Sequence, residues 1–409
     1  MKLDGRHTLV IGLGKSGVAA AALLRSRGAA VITADDQARA DRKVVPEALS
    51  GVDLVVVSPG VPLSLPIFGE ARRRGIELVG EVELASRFIE EPIVGITGTN
   101  GKSTTTALCG HLLSTAGLRV FVGGNLGNAL SNRVLAGGKL DATVCELSSY
   151  QLESIVTLRC AAATVLNVTP DHLDRYDSLD SYAAAKERIF LNQRAGDAAV
   201  LNARDARVAA MRTREGVKRV MFDPRTALGD LKLSLRAATL RGAHNAENSS
   251  AACLLARHLG VTDLQRGLDT YPGLPHRLEP VRVIDGVEWI NDSKATNVDS
   301  VEKSLSAFES GVIIIMGGRG KGAPYTALKP LLQAKAKAIL TIGEDAEKIA
   351  AELGPVQPCG TLPNAVSKAR EIARKGDVVL LSPACASYDQ FRNFEDRGDQ
   401  FKALVRGLR

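Results

Sequence analysis

The sequence predicts an α/β protein of three domains built on mainly parallel sheets. Three observations carry that expectation. Short apolar runs of strand length alternate with helical patterns along the whole chain. Run after run ends in a turn of glycine, serine and other small polar residues, where open α/β sheets bind ligands. A chain of 409 residues is also longer than one hydrophobic core supports.

Composition narrows the class. The chain is 45% apolar and 24% charged, as ordinary globular proteins are. No run approaches the roughly 18 apolar residues of a membrane span, and Met1-Lys2-Leu3-Asp4-Gly5 leads into a strand without an apolar leader. Six scattered cysteines, with no Cys-x-x-Cys pair, fit a reducing cytoplasm. A net charge of +7 comes without a dense basic run and with only 4% aromatics. Small anionic substrates or solvated surface charge account for it better than nucleic acid does.

The first domain is expected over residues 1–90. HTLVIG at 7–12 reads as a buried strand, and Gly12-x-Gly14-x-x-Gly17 opens an alanine-rich helix over 18–27. A second strand at 29–34 ends in Asp35-Asp36, where a dinucleotide fold places its ribose-binding acid. That fingerprint certifies a βαβ unit able to hold an anionic nucleotide, not which nucleotide. A strand at 54–57 ends in Ser58-Pro59-Gly60, and a break follows near 88–92.

The second domain, residues 91–272, opens on the most informative stretch, PIVGITGTNGKSTTT from Pro92. An apolar strand runs into a glycine-rich turn that Gly101-Lys102-Ser103 closes onto a helix over 103–116. Backbone N–H groups and the helix N-terminus make such a turn a phosphate cradle. Lys102 can reach terminal phosphates and the Ser103 hydroxyl can ligate Mg²⁺. Gly95 and Gly101 are one residue too far apart for the common P-loop spacing, so Gly98 is the glycine that matters. Strands follow at 119–122, ending in Gly123-Gly124-Asn125-Leu126-Gly127, and at 142–145, ending in Glu146. Glu146 is placed to hold Mg²⁺ or to cap a helix. A strand at 162–168 delivers Thr169-Pro170-Asp171-His172-Leu173-Asp174, where His172 is a functional group or an ordinary satisfied polar residue. Further strands are expected at 197–202 and 219–222. Gly242-Ala243-His244-Asn245-Ala246-Glu247-Asn248 precedes a helix, and its amides can read an adenine edge or cap that helix. In a helix over 181–191, Lys186 has Tyr182, Ala183, Ile189 and Phe190 three and four residues away, which places it on the buried stripe. A lysine there is paired, neutral or modified, unless it snorkels to water.

The third domain, residues 273–409, begins at a boundary marked by the Pro-Gly and Pro-His turns of 272–280. A hairpin or strand pair is expected at 281–291, a polar turn at Asp292-Ser293-Lys294-Ala295-Thr296-Asn297, and a central strand at 311–316. That strand ends in Gly317-Gly318-Arg319-Gly320-Lys321-Gly322, a second glycine-rich cationic loop suited to an anion. Strands at 338–342 and 377–381 complete the pattern, the latter ending in Ser382-Pro383-Ala384-Cys385-Ala386-Ser387.

Taken together these stretches closely resemble the Mur ligases. The resemblance rests on GITGTNGKST at 95–104, ELSSYQLE at 146–153, DHLDRY at 171–176 and AAAKERI at 183–189. HNAENS at 244–249, LPHRLE at 274–279, DSKATN at 292–297 and SPACASYDQFRNFEDRG at 382–398 continue it, so that it covers nearly the whole chain. It implies a UDP-binding Rossmann-like domain, a central ATPase domain and a Rossmann-like C-terminal domain. The implied activity is an ATP-dependent ligase adding D-glutamate to UDP-N-acetylmuramoyl-L-alanine through an acyl phosphate. Such an enzyme acts as a cytoplasmic monomer in peptidoglycan synthesis, which serves cell shape and division.

Residue roles carried over by the resemblance follow. Gly98, Thr99, Asn100, Gly101, Lys102, Ser103 and Thr104 hold the ATP phosphates. Asn245 and Asn248 lie on the adenine side, and Arg277 and Asp292 close over the nucleotide. One of two Mg²⁺ ions sits near Ser103 and Glu146; the other sits near His172, with a CO₂-derived carbamate on Lys186 helping to position it. Ser16, Asp35, Ser58 and Asn125 face the UDP-sugar, with Asp36 standing where relatives often have a hydroxyl residue. Thr296, Lys321, Ser387 and Phe394 bind D-glutamate, Lys321 supplying the cation for its acidic side chain. Three other readings fit less of the chain. A folylpolyglutamate synthetase lacks the UDP-type first domain, a non-catalytic nucleotide-binding regulator has no use for Lys102, Glu146, His172 and Lys186, and a nicotinamide dehydrogenase leaves an ATP site unexplained.

Overall fold

The structure, a computed structural model, describes residues 1–171 and 175–408. The chain divides into two compact units, residues 1–234 with 247–268, and residues 235–246 with 269–409.

The first unit holds two sheets. In the smaller, β1 (His7–Ile11), β2 (Ala30–Ala34), β3 (Leu54–Val57) and β4 (Glu77–Gly80) lie in the order β2-β1-β3-β4, all parallel. Gly17 shows why its position excludes a side chain, since a Cβ there would lie 1.8 Å from the Gly12 carbonyl oxygen. The helix Lys15–Ser26 can cross the end of β1 only at a glycine. The larger sheet comprises β5 (Ile93–Thr97), β6 (Val120–Gly124), β7 (Ala142–Glu146), β8 (Ala162–Val165), β9 (Ala198–Asn202) and β10 (Lys218–Phe222). Its order is β10-β9-β8-β5-β7-β6, again all parallel. Every residue of β5, β7, β8 and β9 is buried, as continuous apolar runs covered on both faces should be.

One apolar cluster runs from Leu3 and Val10 through Leu84 and Ile93 to Val217, so the two sheets share a core. Glu83 adds a polar joint. Its buried carboxylate accepts from the backbone N–H groups of Val156, Thr157 and Leu158, the Thr157 hydroxyl and the Arg87 guanidinium. Burial alone would raise its pKa, but these donors outweigh it and hold the carboxyl below its ordinary 4.5.

The second unit has one sheet, β11 (Glu279–Ile284), β12 (Val287–Asn291), β13 (Val312–Gly317), β14 (Ala336–Ile342), β15 (Gln357–Gly360) and β16 (Val378–Leu381). The order is β11-β12-β16-β13-β14-β15, with only the β11–β12 hairpin antiparallel. Pro358 is tolerated in β15 because that strand is an edge. Trp289, Phe401 and Val405 fill one face, and Val301, Leu305 and Leu332 the other.

Several expected boundaries shift for identifiable reasons. The strand expected at 162–168 stops at Val165, and residues 166–169 turn to bond the loop after β5. HNAEN does not precede a helix but forms the first turns of one, Ala243–His258. The helix carrying Lys186 starts at Leu179, behind a Ser178–Ser181 capping box, and ends at Glu187, the next three residues tightening to a 3₁₀ turn. Among the described residues no helix is long and apolar enough to cross a membrane.

Candidate active site

The loop after β5 is shaped by two glycines, Gly98 at φ 151° and Gly101 at φ 84°. Gly101 precedes the helix Lys102–Thr115, so an anion meets a helix N-terminus there. A Cβ on Gly101 would come within 2.1 Å of the Asn248 Oδ1. Lys102 Nζ donates to the carbonyls of Gly98 (3.0 Å) and Thr99 (2.9 Å). Lys186 Nζ donates to the same Gly98 carbonyl at 2.8 Å, so two ammonium groups meet on one loop oxygen. Two of the expected phosphate-binding amides are otherwise engaged: the Thr99 N–H donates to the Asn167 carbonyl and the Asn100 N–H to its side chain. The anion-binding part of the loop is therefore displaced toward Gly101, Lys102, Ser103 and Thr104.

Lys186 is 1% exposed and lies 4.2 Å from the centre of the Tyr182 ring, a favourable place for a cation. Burial, with the charge of Lys102 adding to it and Asp171 opposing, lowers its pKa to about 7. The helical spacing identified this buried position correctly. Glu146 ends β7, buried, with Oε1 accepting from Asn125 Nδ2 at 2.7 Å and Oε2 buried without a hydrogen-bond partner among the described residues. A buried carboxylate oxygen with nothing donating to it suits a cation. His172 lies outside the described residues. Among the described residues no three His, Cys, Asp or Glu side chains gather as a ready-made metal cage. Mg²⁺ does not require one, because it retains water and uses one or two carboxylates with substrate phosphates.

A cleft of about 370 Å³ in the same unit is lined by Gly12, Ser16, Asp35, Ser58, Asn125 and Gln151, among others. It brings together all four residues expected at the UDP-sugar. Two of them also hold the loops that form it. Asp35 accepts from the N–H groups of Leu13, Gln37 and Ala38, bonds that keep its carboxyl below the usual carboxylate range. The Ser58 hydroxyl donates to the Gly12 carbonyl at 2.7 Å. Gln151, which the sequence reading left unassigned, reaches the cleft because Ser148 and Gln151 form a capping box beside it.

In the second unit, Lys321 Nζ donates to Thr296 Oγ1 at 3.3 Å, joining two of the expected D-glutamate residues. The Arg319 and Ala386 backbones exchange hydrogen bonds of 3.0 and 2.9 Å, which stitches the Lys321 loop to the loop carrying Ser387. Phe394 begins the last helix, its ring 6.0 Å from His276 and its carbonyl accepting from the Ser293 hydroxyl. Arg397, on that helix, is wholly buried and bonds the Ser293 hydroxyl and the carbonyls of Ser293 and Cys385. Asp292 is an internal anchor: its carboxylate accepts from Ser304, Ser382 and the Leu278 N–H, and burial pushes its pKa up to about 6. Arg277 has its Nε buried without a hydrogen-bond partner among the described residues. Asn245 donates to the Arg241 carbonyl at 2.8 Å, whereas Asn248, in the first unit, accepts from Thr105.

Comparison with known proteins bears directly on this arrangement. Residues 6–80 match the family described as Mur ligase MurD-like, N-terminal domain; 96–234 match the Mur ligase middle domain; 276–385 match the Mur ligase glutamate ligase domain. A UDP-N-acetylmuramoylalanine–D-glutamate ligase of Myxococcus xanthus is 51% identical, covering 100% of both chains. The chain belongs to the Mur ligase family. The same-named ligase of Anaeromyxobacter dehalogenans is 50% identical, over 99% of this chain and 98% of the relative. Among solved Mur ligases, UDP-N-acetylmuramate–alanine ligase from Thermotoga maritima aligns with TM-score 0.60 at 19% identity, covering 98% of this chain and 99% of that one. A pseudomurein peptide ligase type C from Methanothermus fervidus aligns with TM-score 0.58 at 16% identity, covering 99% of this chain and 100% of that one. At such identities these two structures speak for the Mur ligase fold alone.

Proposed function

We propose that this Mur ligase adds D-glutamate to UDP-N-acetylmuramoyl-L-alanine, with ATP converted to ADP and phosphate, as a cytoplasmic step of peptidoglycan precursor synthesis that serves cell shape and division. The observation that carries the ATP half is the meeting of Lys102 and Lys186 on the Gly98 carbonyl, at the N-terminus of a helix. The Lys102 ammonium and the helix dipole suit a polyphosphate, while Lys186 meets them on the same loop as the group that takes up CO₂. The amino-acid half is supported by Lys321 on Thr296 and by the full-length similarity to D-glutamate ligases.

The substrate carboxylate attacks the γ-phosphorus of ATP, an O–P bond forming as ADP leaves. The amine of D-glutamate then attacks the acyl carbon, loses a proton, and phosphate departs. Gly98, Thr99, Asn100, Gly101, Lys102, Ser103 and Thr104 form the phosphate loop, with Lys102 offsetting charge on the transferring group. Asn245, Asn248 and Arg277 serve as nucleotide contacts, with Asp292 acting from inside its unit by anchoring Leu278 next to Arg277, and Ser16, Asp35, Ser58 and Asn125 hold the UDP-sugar. Thr296, Lys321, Ser387 and Phe394 select the amino acid. Ser103, Glu146, His172 and a carbamylated Lys186 would hold two Mg²⁺, which supply electrostatic stabilisation of phosphoryl transfer. A lysine near neutrality can take up CO₂, forming an N–C bond and releasing one proton. The family division near residues 90 and 272 and a monomeric state complete the proposal.

The test is phosphate release from ATP, with each UDP-muramoyl precursor assayed against a panel of amino acids. D-Glutamate with UDP-N-acetylmuramoyl-L-alanine should be the productive pair. Faster turnover with meso-diaminopimelate, L-alanine or L-lysine would refute the amino-acid assignment.

A further inference from the structure

We infer that Asn167 is a positioning residue for nucleotide binding, fixing the phosphate loop through Asn100 and itself fixed by Glu247; this rests on the ATP-dependent reading above. The chain leaves β8 after Val165 but keeps tracking the neighbouring loop. The Leu166 N–H donates to the Thr97 carbonyl at 3.0 Å, and the Thr99 N–H to the Asn167 carbonyl at 2.9 Å. The Asn167 side chain continues the pattern where the backbone cannot. Its Oδ1 accepts from the Asn100 N–H at 2.8 Å while its Nδ2 donates to the Asn100 carbonyl at 3.3 Å. One amide thus satisfies both polar groups of one residue, as a paired strand residue would.

Asn100 needs such a partner because it lies between Gly98 and Gly101, both at positive φ. Glycine populates those conformations and others about equally, so the loop has little intrinsic preference for one shape. The two ends of the Asn167 amide have nearly the same shape, and a flip would set a carbonyl against a carbonyl. Glu247 decides the orientation. Its Oε1 accepts from Asn167 Nδ2 at 2.6 Å, a bond that a flipped amide would replace with repulsion. Glu247 stands on the helix Ala243–His258, one residue before Asn248, whose Oδ1 accepts from Thr105 in the helix that follows the loop. The phosphate loop is therefore held from the sheet side and from this helix through one chain of hydrogen bonds.

The test compares wild type with Asn167→Asp, which keeps the shape and the acceptor for Asn100 but removes the donor and sets a second carboxylate beside Glu247. Titration calorimetry with Mg²⁺ and a non-hydrolysable ATP analogue should show the dissociation constant raised roughly tenfold or more. Affinity for UDP-N-acetylmuramoyl-L-alanine should be unchanged. Asn167→Asp combined with Glu247→Gln should recover part of the loss, since the new amide donates to the aspartate. Unchanged nucleotide affinity, or equal loss for both ligands as a merely structural role would give, overturns the inference. Should Asn167→Asp fail to fold, Glu247→Ala, which removes the acceptor that a glutamine would keep, must weaken the analogue severalfold, and no weakening overturns the inference equally. Failure of the wild-type chain to bind the analogue would instead refute the ATP-dependent function.

Discussion

At the scale of single residues, Lys102 supplies charge and not packing. Lys102 lies along its own loop, bonded to two carbonyls, and fills no core position. Lys102→Ala should therefore fold normally yet lose at least about a hundredfold in ATP turnover, the usual cost of removing a donor aimed at developing charge. Phosphate release set beside the thermal unfolding midpoint checks this, and near-normal activity would refute the role. Lys186 was legible in the sequence because helical spacing alone puts it among Tyr182, Ile189 and Phe190. Asn167 was not, because its meaning comes from a partner 67 residues away in the chain. Asp292 was legible as a polar residue at a strand end, but not as a buried one, since Ser304 and Ser382 reach it only in the folded unit.

At the scale of elements, carboxylates tie loops that no hydrophobic pattern could connect. Glu83, on the helix Glu81–Ser86, gathers three consecutive backbone N–H groups at 156–158. Removing its charge should cost roughly 2–4 kcal/mol by the standard of buried charge-assisted hydrogen bonds. The sign with pH follows from its lowered pKa. The stabilisation is complete above the ordinary 4.5 and is lost as pH falls through the lower folded-state value. Thermal melts of wild type and Glu83→Gln should thus converge as pH drops below about 4.5, and a gap independent of pH would contradict this account. In the second unit, Tyr325 donates its hydroxyl to Asp345 at 2.8 Å and lies 3.0 Å from the Cys385 sulfur, while Asp345 accepts from the Gly320 N–H. These bonds brace the residue next to Lys321. Tyr325→Phe should raise KM for D-glutamate severalfold and leave KM for ATP unchanged; a parallel rise in both would show general loosening.

At the scale of the whole molecule, the class of fold and the strand ends that carry the site could be read from the sequence, because both follow from local pattern. Buried parallel strands announce themselves as apolar runs, as β5, β9 and β13 do. The edge strands β4 and β15 gave no such run and went unrecognised; β15 reads Gln-Pro-Cys-Gly and pairs on one side only. The grouping of two sheets into one compact unit was likewise hidden, since a shared core from Leu3 to Val217 is a property of contacts and not of composition.

The strand order of the second unit fixes when it can be completed. β16, residues 378–381, lies between β12 and β13, so the middle of the sheet is supplied by the strand that comes last of its six in sequence. During synthesis β12 and β13 leave the ribosome well before the strand that joins them, each with an open edge. The Ser387 loop and the helix beginning at Phe394 come later still, and Arg397 locks them to Ser293 only once they have followed β16 out. A chain ended at residue 377 should therefore aggregate and show no cooperative unfolding of this unit by calorimetry, whereas a soluble, cooperatively melting product would contradict that expectation. An interrupted message then yields no partly working ligase, only a product with two exposed strands for proteolysis to remove.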